Sequence, residues 1–295
     1  MTKLILFCLA ALSPLTVDAF QTDSTLYRIF DTRAHQEITL DELANTLDDI
    51  DVVFFGEEHN DSVAHILQYE LLKAMNLRYD RVALSMEMFV SDDQLILDEY
   101  LAGLITERNL NKDAVLWNNY GDYRPLVEYA KAHGLTILAA NAPSRYTNRV
   151  TREGLESLKA LDKAAKSLLA PLPIDTLTGA YYEKFAGLMG GHEGMGNLKI
   201  YQSQNLWDAT MAYRIGKLLR KKSVNKILHL NGRFHSDEQL GTVAHLRNYA
   251  PRVSVANISC FRYERIKLPD WTTLSHLGDF IILTDPGVSK TFNQK

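Results

Sequence analysis

Asp51-Val52-Val53-Phe54-Phe55-Gly56-Glu57-Glu58-His59 reads as a buried strand closed by a G-x-x-H corner. The same form returns far along the chain in Lys226-Ile227-Leu228-His229-Leu230-Asn231-Gly232-Arg233-Phe234-His235. A third run, Arg81-Val82-Ala83-Leu84-Ser85-Met86, delivers Glu87 to its end. Short apolar runs bounded by turn residues suit strands covered on both faces. If the three are parallel neighbours, two imidazoles and a carboxylate meet at the carboxyl edge of one sheet, where open α/β proteins place their ligands. His59, Glu87 and His235 can then hold a divalent ion such as zinc with one position open for water. They can equally serve as base and stabiliser in a hydrolytic site.

Working outward from these corners, strands alternate with helices. Val63, Ile66, Leu67, Leu71, Ala74 and Met75 recur at helical spacing after His59, with Asn60, Asp61 and Ser62 available as caps. Further helices are expected near Asp92 to Leu101, Tyr123 to His133 and Asp237 to Asn248, and further strands at Leu135 to Ala140, near Val253 and near Phe280. This alternation predicts an α/β fold, a mostly parallel sheet with helices on both faces. Between about 144 and 220 helical patterns dominate, so a helical insertion separates the central strands. Inside it, Pro171-Leu172-Pro173 breaks the chain, and the glycine-rich stretch from Gly187 to Gly196 predicts a loop at the tip.

The first residues read as an address. Lys3 carries one positive charge, Leu4 to Leu12 is apolar, Pro14 interrupts the run, and Val17-Asp18-Ala19 resembles a cleavage site. A signal peptide over 1–19 and a single α/β domain over 20–295 are therefore expected, with the product exported to a periplasm or the outer membrane. The apolar run is shorter than the roughly 20 residues a spanning helix needs. A net charge of −4 argues against a nucleic-acid partner, which calls for a clustered basic face. Cleavage after Ala19 would leave Cys260 as the one cysteine, so no intrachain disulfide can form and the fold must rest on its core.

Within the insertion, Tyr181, Tyr182 and Tyr201 stand with Met189, His192 and Met195, a set that covers the common haem-ligand types except cysteine. A glycine-rich surface loop explains part of the same composition. Glu57 is expected beside the strand-end cluster as an orienting carboxylate, or near the positive end of the following helix. Arg145 and Arg149 begin the insertion, and Arg145 is expected to hold an anion there. Gln204 and Asp208 lie one helical turn apart and either cap the site or pin their helix to the sheet.

Several ordered segments carry a family resemblance: Phe54-Phe55-Gly56-Glu57-Glu58-His59, Met86-Glu87-Met88-Phe89, Tyr123-Arg124-Pro125-Leu126-Val127, Asn141-Ala142-Pro143-Ser144-Arg145, Gln204-Asn205-Leu206-Trp207-Asp208 and Asn231-Gly232-Arg233-Phe234-His235. Together they resemble the ChaN family of iron-regulated, haem-binding proteins, in a superfamily with erythromycin esterase, TraB and the Tiki proteases. That resemblance implies haem as cofactor, a role in iron or haem acquisition alongside an outer-membrane uptake system, and a homodimer enclosing stacked haems. In that family a tyrosine from one subunit ligates each iron while the other subunit holds the propionates. Tyr181, Tyr182 and Tyr201 are eligible here. The superfamily implies that His59, Glu87 and His235 form the shared site, which in other branches supports hydrolysis. Cys8 follows Phe7 rather than a small residue, a departure from the pattern of a ChaN lipoprotein.

Overall fold

The computed structural model describes residues 25–190 and 195–292. The expected signal peptide and His192 lie outside these described residues. In chain order the elements are β1 (Tyr27–Asp31), β2 (Gln36–Ile38), α1 (Leu40–Asn45), β3 (Val52–Glu57), α2 (Ser62–Arg78), β4 (Val82–Val90), α3 (Gln94–Leu101), α4 (Glu107–Asp113), α5 (Tyr120–Ala132) and β5 (Thr136–Asn141). The insertion contributes α6 (Ser144–Glu153), α7 (Lys163–Lys166), α8 (Ala180–Leu188) and α9 (Met195–Arg220). The chain then returns through β6 (Lys226–Gly232), α10 (Gly241–Tyr249), β7 (Val255–Arg262), α11 (Trp271–Leu274) and β8 (Phe280–Thr284).

All eight strands join one sheet in the order β2-β1-β8-β7-β3-β6-β4-β5. The strands from β8 to β5 run parallel, and the β1–β2 hairpin adds an antiparallel edge beside β8. This hairpin is a feature the hydrophobic pattern did not reveal, because its strands are short and β2 is largely exposed. Every residue of β3 and β6 is buried. Successive side chains of a strand point to opposite faces, so Val53 and Phe55 pack with α2 and α5 while Val52 and Phe54 pack with α9 and α10. An apolar run without alternation thus serves two cores at once.

Helix α2 begins where Asp61, itself buried, accepts hydrogen bonds from the amides of Val63 and Ala64. That cap sets the direction of the chain just after His59. At 26 residues, α9 is about 39 Å long. It therefore reaches from the carboxyl edge of the sheet to the amino edge.

The corner glycines answer to space rather than to backbone conformation. Gly232 has φ −59° and ψ 132°, which any residue adopts. A Cβ on Gly56 would lie 2.9 Å from the Arg233 Cα, and one on Gly232 would lie 2.7 Å from His59 Nε2. Gly232→Ala is expected to displace His59 and cost about 1–3 kcal/mol, the range for an overpacked site. Urea unfolding of the two proteins measures it, and an unchanged midpoint would remove the steric argument.

Candidate functional site

Strand order decides what the two corners can do. Because β6 lies between β3 and β4, Gly232 sits between His59 and Glu87. With no side chain at that position, the imidazole and the carboxylate close in from either side. Glu87 Oε2 accepts a hydrogen bond from the Gly232 amide at 2.7 Å, and its Oε1 stands 3.6 Å from His235 Nε2. His59, Glu87 and His235 are thus gathered around one backbone position.

Each histidine has its own buried carboxylate behind it. His59 Nδ1 lies 2.8 Å from Glu57 Oε1, and His235 Nδ1 lies 2.7 Å from Asp208 Oδ1. Glu57 also accepts hydrogen bonds from the Tyr123 hydroxyl and the Gln68 amide, with His65 Nε2 at 3.4 Å. Asp208 accepts from the Tyr181 hydroxyl at 2.5 Å and from Thr242 Oγ1 at 2.8 Å. The two halves repeat one design, a buried carboxylate fixed by a tyrosine and holding the Nδ1 side of a ring. Such a partner places the proton on Nδ1 and leaves Nε2 as the reactive nitrogen. Trp117 packs edge-on against His59 with ring centres 4.9 Å apart.

Burial would raise the Glu57 carboxyl, but the hydrogen bonds and charges of His59 and His65 outweigh it and hold it well below the usual range. Burial would likewise discharge His235. The Glu87 and Asp208 carboxylates win instead and lift it to about 9. His59 is also raised, burial being overcome by its Glu57 bond and by the charges of Glu87 and Glu57. The ordinary histidine value is 6.5, so the stability contributed by His235 is complete below that pH and disappears as pH rises through about 9. A proton NMR titration is expected to place the His235 ring transition near 9, and Asp208→Asn should move it down. A transition at or below 6.5 in the wild type would contradict the paired geometry.

The zinc reading finds no support in this arrangement. Among the described residues no group of three or more His, Cys, Asp or Glu is placed to hold a metal ion. Arg145 is also not where the sequence placed it. Its guanidinium pairs with Asp92 at 2.5 Å and covers the Tyr146 ring, and it does not line the cleft.

The three tyrosines separate clearly. Tyr181 is buried and donates to Asp208, so it belongs to the histidine network. Tyr201 is buried, donates to the Leu177 carbonyl at 2.7 Å, and is pushed up to about 12 by burial. Tyr182 is half-buried against Tyr201, and no hydrogen bond holds its hydroxyl among the described residues. Sequence reasoning missed Tyr123, Gln68, His65 and Thr242. The one-turn spacing of Gln204 and Asp208 was a usable signal for Asp208.

The cluster opens into a cleft of about 690 Å³ between the strand ends and α8, within the ~300–1,000 Å³ typical of cofactor sites. Phe185, Leu188, Met189, Phe234 and Leu277 give it apolar walls; Lys184 and Arg233, paired with Glu238 and Asp237, and Lys290 bring cationic groups beside the carboxylates of Glu57 and Glu58. Leu188 is 71% exposed.

A family profile described as haem-binding uptake, Tiki superfamily, ChaN matches residues 43–246. The chain belongs to the ChaN family. Among solved structures, cofacial haem-binding ChaN of Campylobacter jejuni is similar over 89% of this chain and 98% of its own, with a TM-score of 0.68 and 18% identity. An erythromycin esterase, EreC, in its open conformation covers 88% of this chain and 83% of its own, with a TM-score of 0.49 and 15% identity. No curated protein sequence matches the chain. The ChaN profile spans both G-x-x-H corners, α8 and α9, so the paired histidines and most of the cleft wall lie within the matched residues, with Leu277 and Lys290 beyond them.

Proposed function

We propose that this ChaN-family chain handles haem after export, binding the porphyrin in the cleft beside α8 with Tyr182 as the iron ligand. The observation that carries this reading is the lining of the cleft. Haem is a flat apolar ring with two carboxylates at one edge, and it needs an apolar wall beside fixed cations. Phe185, Leu188, Met189 and Phe234 offer the wall, and Lys184, Arg233 and Lys290 offer the cations. Tyr182 does not itself line the cleft; it lies on the same helix as Lys184, Phe185 and Leu188 and packs against Tyr201 beside it. A tyrosinate ligand has to lose its proton. The Asp208 charge and burial oppose that at Tyr181, and burial opposes it at Tyr201. A second copy of the chain closing the open side of the cleft, and an outer-membrane system supplying haem, complete the proposal. Titrating the purified protein with haemin tests it: a saturable Soret band with high-spin tyrosinate features is expected, and no band would end the reading.

A second reading, hydrolysis, is favoured by the two histidine–carboxylate pairs facing Glu87. With His59 unprotonated, its Nε2 can take a proton from water as the water oxygen attacks an acyl carbon. The protonated His235 can pass its Nε2 proton to the leaving oxygen. Ester hydrolysis lost in both His59→Gln and His235→Gln would support it. Absence of activity on short-chain esters in the wild type would count against it.

A further inference from the structure

The opposite end of the sheet holds a second pocket, built around an arginine that makes no ion pair among the described residues. It is small, about 170 Å³, and is lined by Arg214, Lys217, Lys221, Gln94, Asp98 and the start of β5 at Thr136. Since the strands are parallel, it lies at their amino ends, away from His59 and His235. Strand β5 is the edge of the sheet, and Gln94 and Arg214 cover that edge. The Gln94 amide donates to the Ile137 carbonyl at 2.9 Å and accepts from the Ala139 amide at 2.9 Å. Arg214 Nε donates to the Ala139 carbonyl at 2.7 Å, and its Nη2 donates to Gln94 Oε1 at 3.0 Å.

This leaves Arg214 oriented but not neutralised. Among the described residues its two bonds are to neutral oxygens, and its Nη1 makes none. Burial lowers its pKa, with Asp98 and Asp92 acting on it only as charges at a distance. A desolvated cation is expensive without an anion in contact. Asp98, the carboxylate in the pocket, is held by the Gln94 amide at 2.9 Å. Lys217 and Lys221 are exposed and make no ion pair among the described residues. Complementing the last carbonyls of α9 accounts for basic residues near its end, but Arg214 lies nearly two turns before that end.

We infer that Arg214, Lys217 and Lys221 form a binding site for a single phosphate group, free or as a small monoester. Three cations against Asp98 leave two positive charges, matching the roughly −1.5 to −2 of a phosphate at neutral pH. The planar guanidinium, fixed by Ala139 and Gln94, presents Nη1 in a set direction, as oxyanion recognition requires. The volume is well under the ~300 Å³ at which sites for larger ligands begin, which excludes haem from this pocket.

Thermal unfolding and phosphorus NMR of the full protein test this site, using inorganic phosphate and glycerol 3-phosphate against sodium chloride at equal ionic strength. A saturable rise in unfolding midpoint and line broadening are expected with phosphate, and neither with chloride. The Lys217→Gln/Lys221→Gln double variant keeps the Arg214 contacts, so its midpoint in chloride should be unchanged. Its phosphate affinity should fall at least about tenfold. A response to both ligands assigns a site that accepts the monoester, and a response to inorganic phosphate alone assigns the free ion. An equal shift in chloride, or undiminished binding by the double variant, overturns the proposal.

Discussion

Glu57→Leu is expected to cost about 3–5 kcal/mol of stability, the range for removing one partner of a buried charged network. The replacement fits an apolar surrounding but leaves the Tyr123 hydroxyl, the Gln68 amide and the Nδ1 side of His59 without their acceptor. Each buried donor left unpaired costs about 1–3 kcal/mol. Against a typical total of about 5–15 kcal/mol, that brings the fold close to its limit. Chemical denaturation of wild type and variant reads the difference, and a loss under about 1 kcal/mol would mean the network is not formed. The pH dependence has a definite sign. Because the folded Glu57 carboxyl is held below its ordinary 4.5, its contribution is present above that pH and is lost as pH falls toward the lowered value. Acid sensitivity should therefore weaken in the leucine variant.

Tyr182→Phe is expected to abolish the tyrosinate spectrum of the haem complex. It should weaken haem binding by more than the roughly 10–100-fold that losing a supporting partner of a metal site costs. The hydroxyl has no hydrogen bond among the described residues, so its removal leaves the fold intact. Tyr181→Phe is the informative contrast. It frees Asp208 from one of its donors and should change the His235 titration while sparing the haem spectrum. If Tyr181→Phe or Tyr201→Phe removes the spectrum and Tyr182→Phe does not, the ligand assignment falls and haem binding itself stands.

Much of the fold was legible because its strands are uniformly apolar and short. The runs before Gly56 and Gly232, and the one carrying Glu87, all become parallel strands, in agreement with the structural match to ChaN. The β1–β2 hairpin was not legible because a three-residue, largely exposed strand carries almost no periodic signal. At the site, both G-x-x-H corners could be named from their positions at strand ends, and Glu87 from the apolar run before it, although β4 continues past it to Val90. Their partners could not. Tyr123 comes from α5, Asp208 from α9 and Gln68 from α2, and nothing in local spacing says which helix faces which strand.

Arg145 shows the limit most plainly. It stands one residue into α6, directly after a strand that ends at the correct edge of the sheet, yet its side chain turns to Asp92. Local sequence determined that the chain forms parallel strands ending in histidines, since burial pattern and turn residues act over a few positions. Strand order was decided only by the tertiary structure, and with it the approach of His59 and Glu87 to Gly232. So were the assignment of Tyr181 to the histidine network and the absence of metal geometry among the described residues. These depend on which side chains distant segments bring within about 3 Å, where hydrogen bonds form, and a single sequence does not contain that distance.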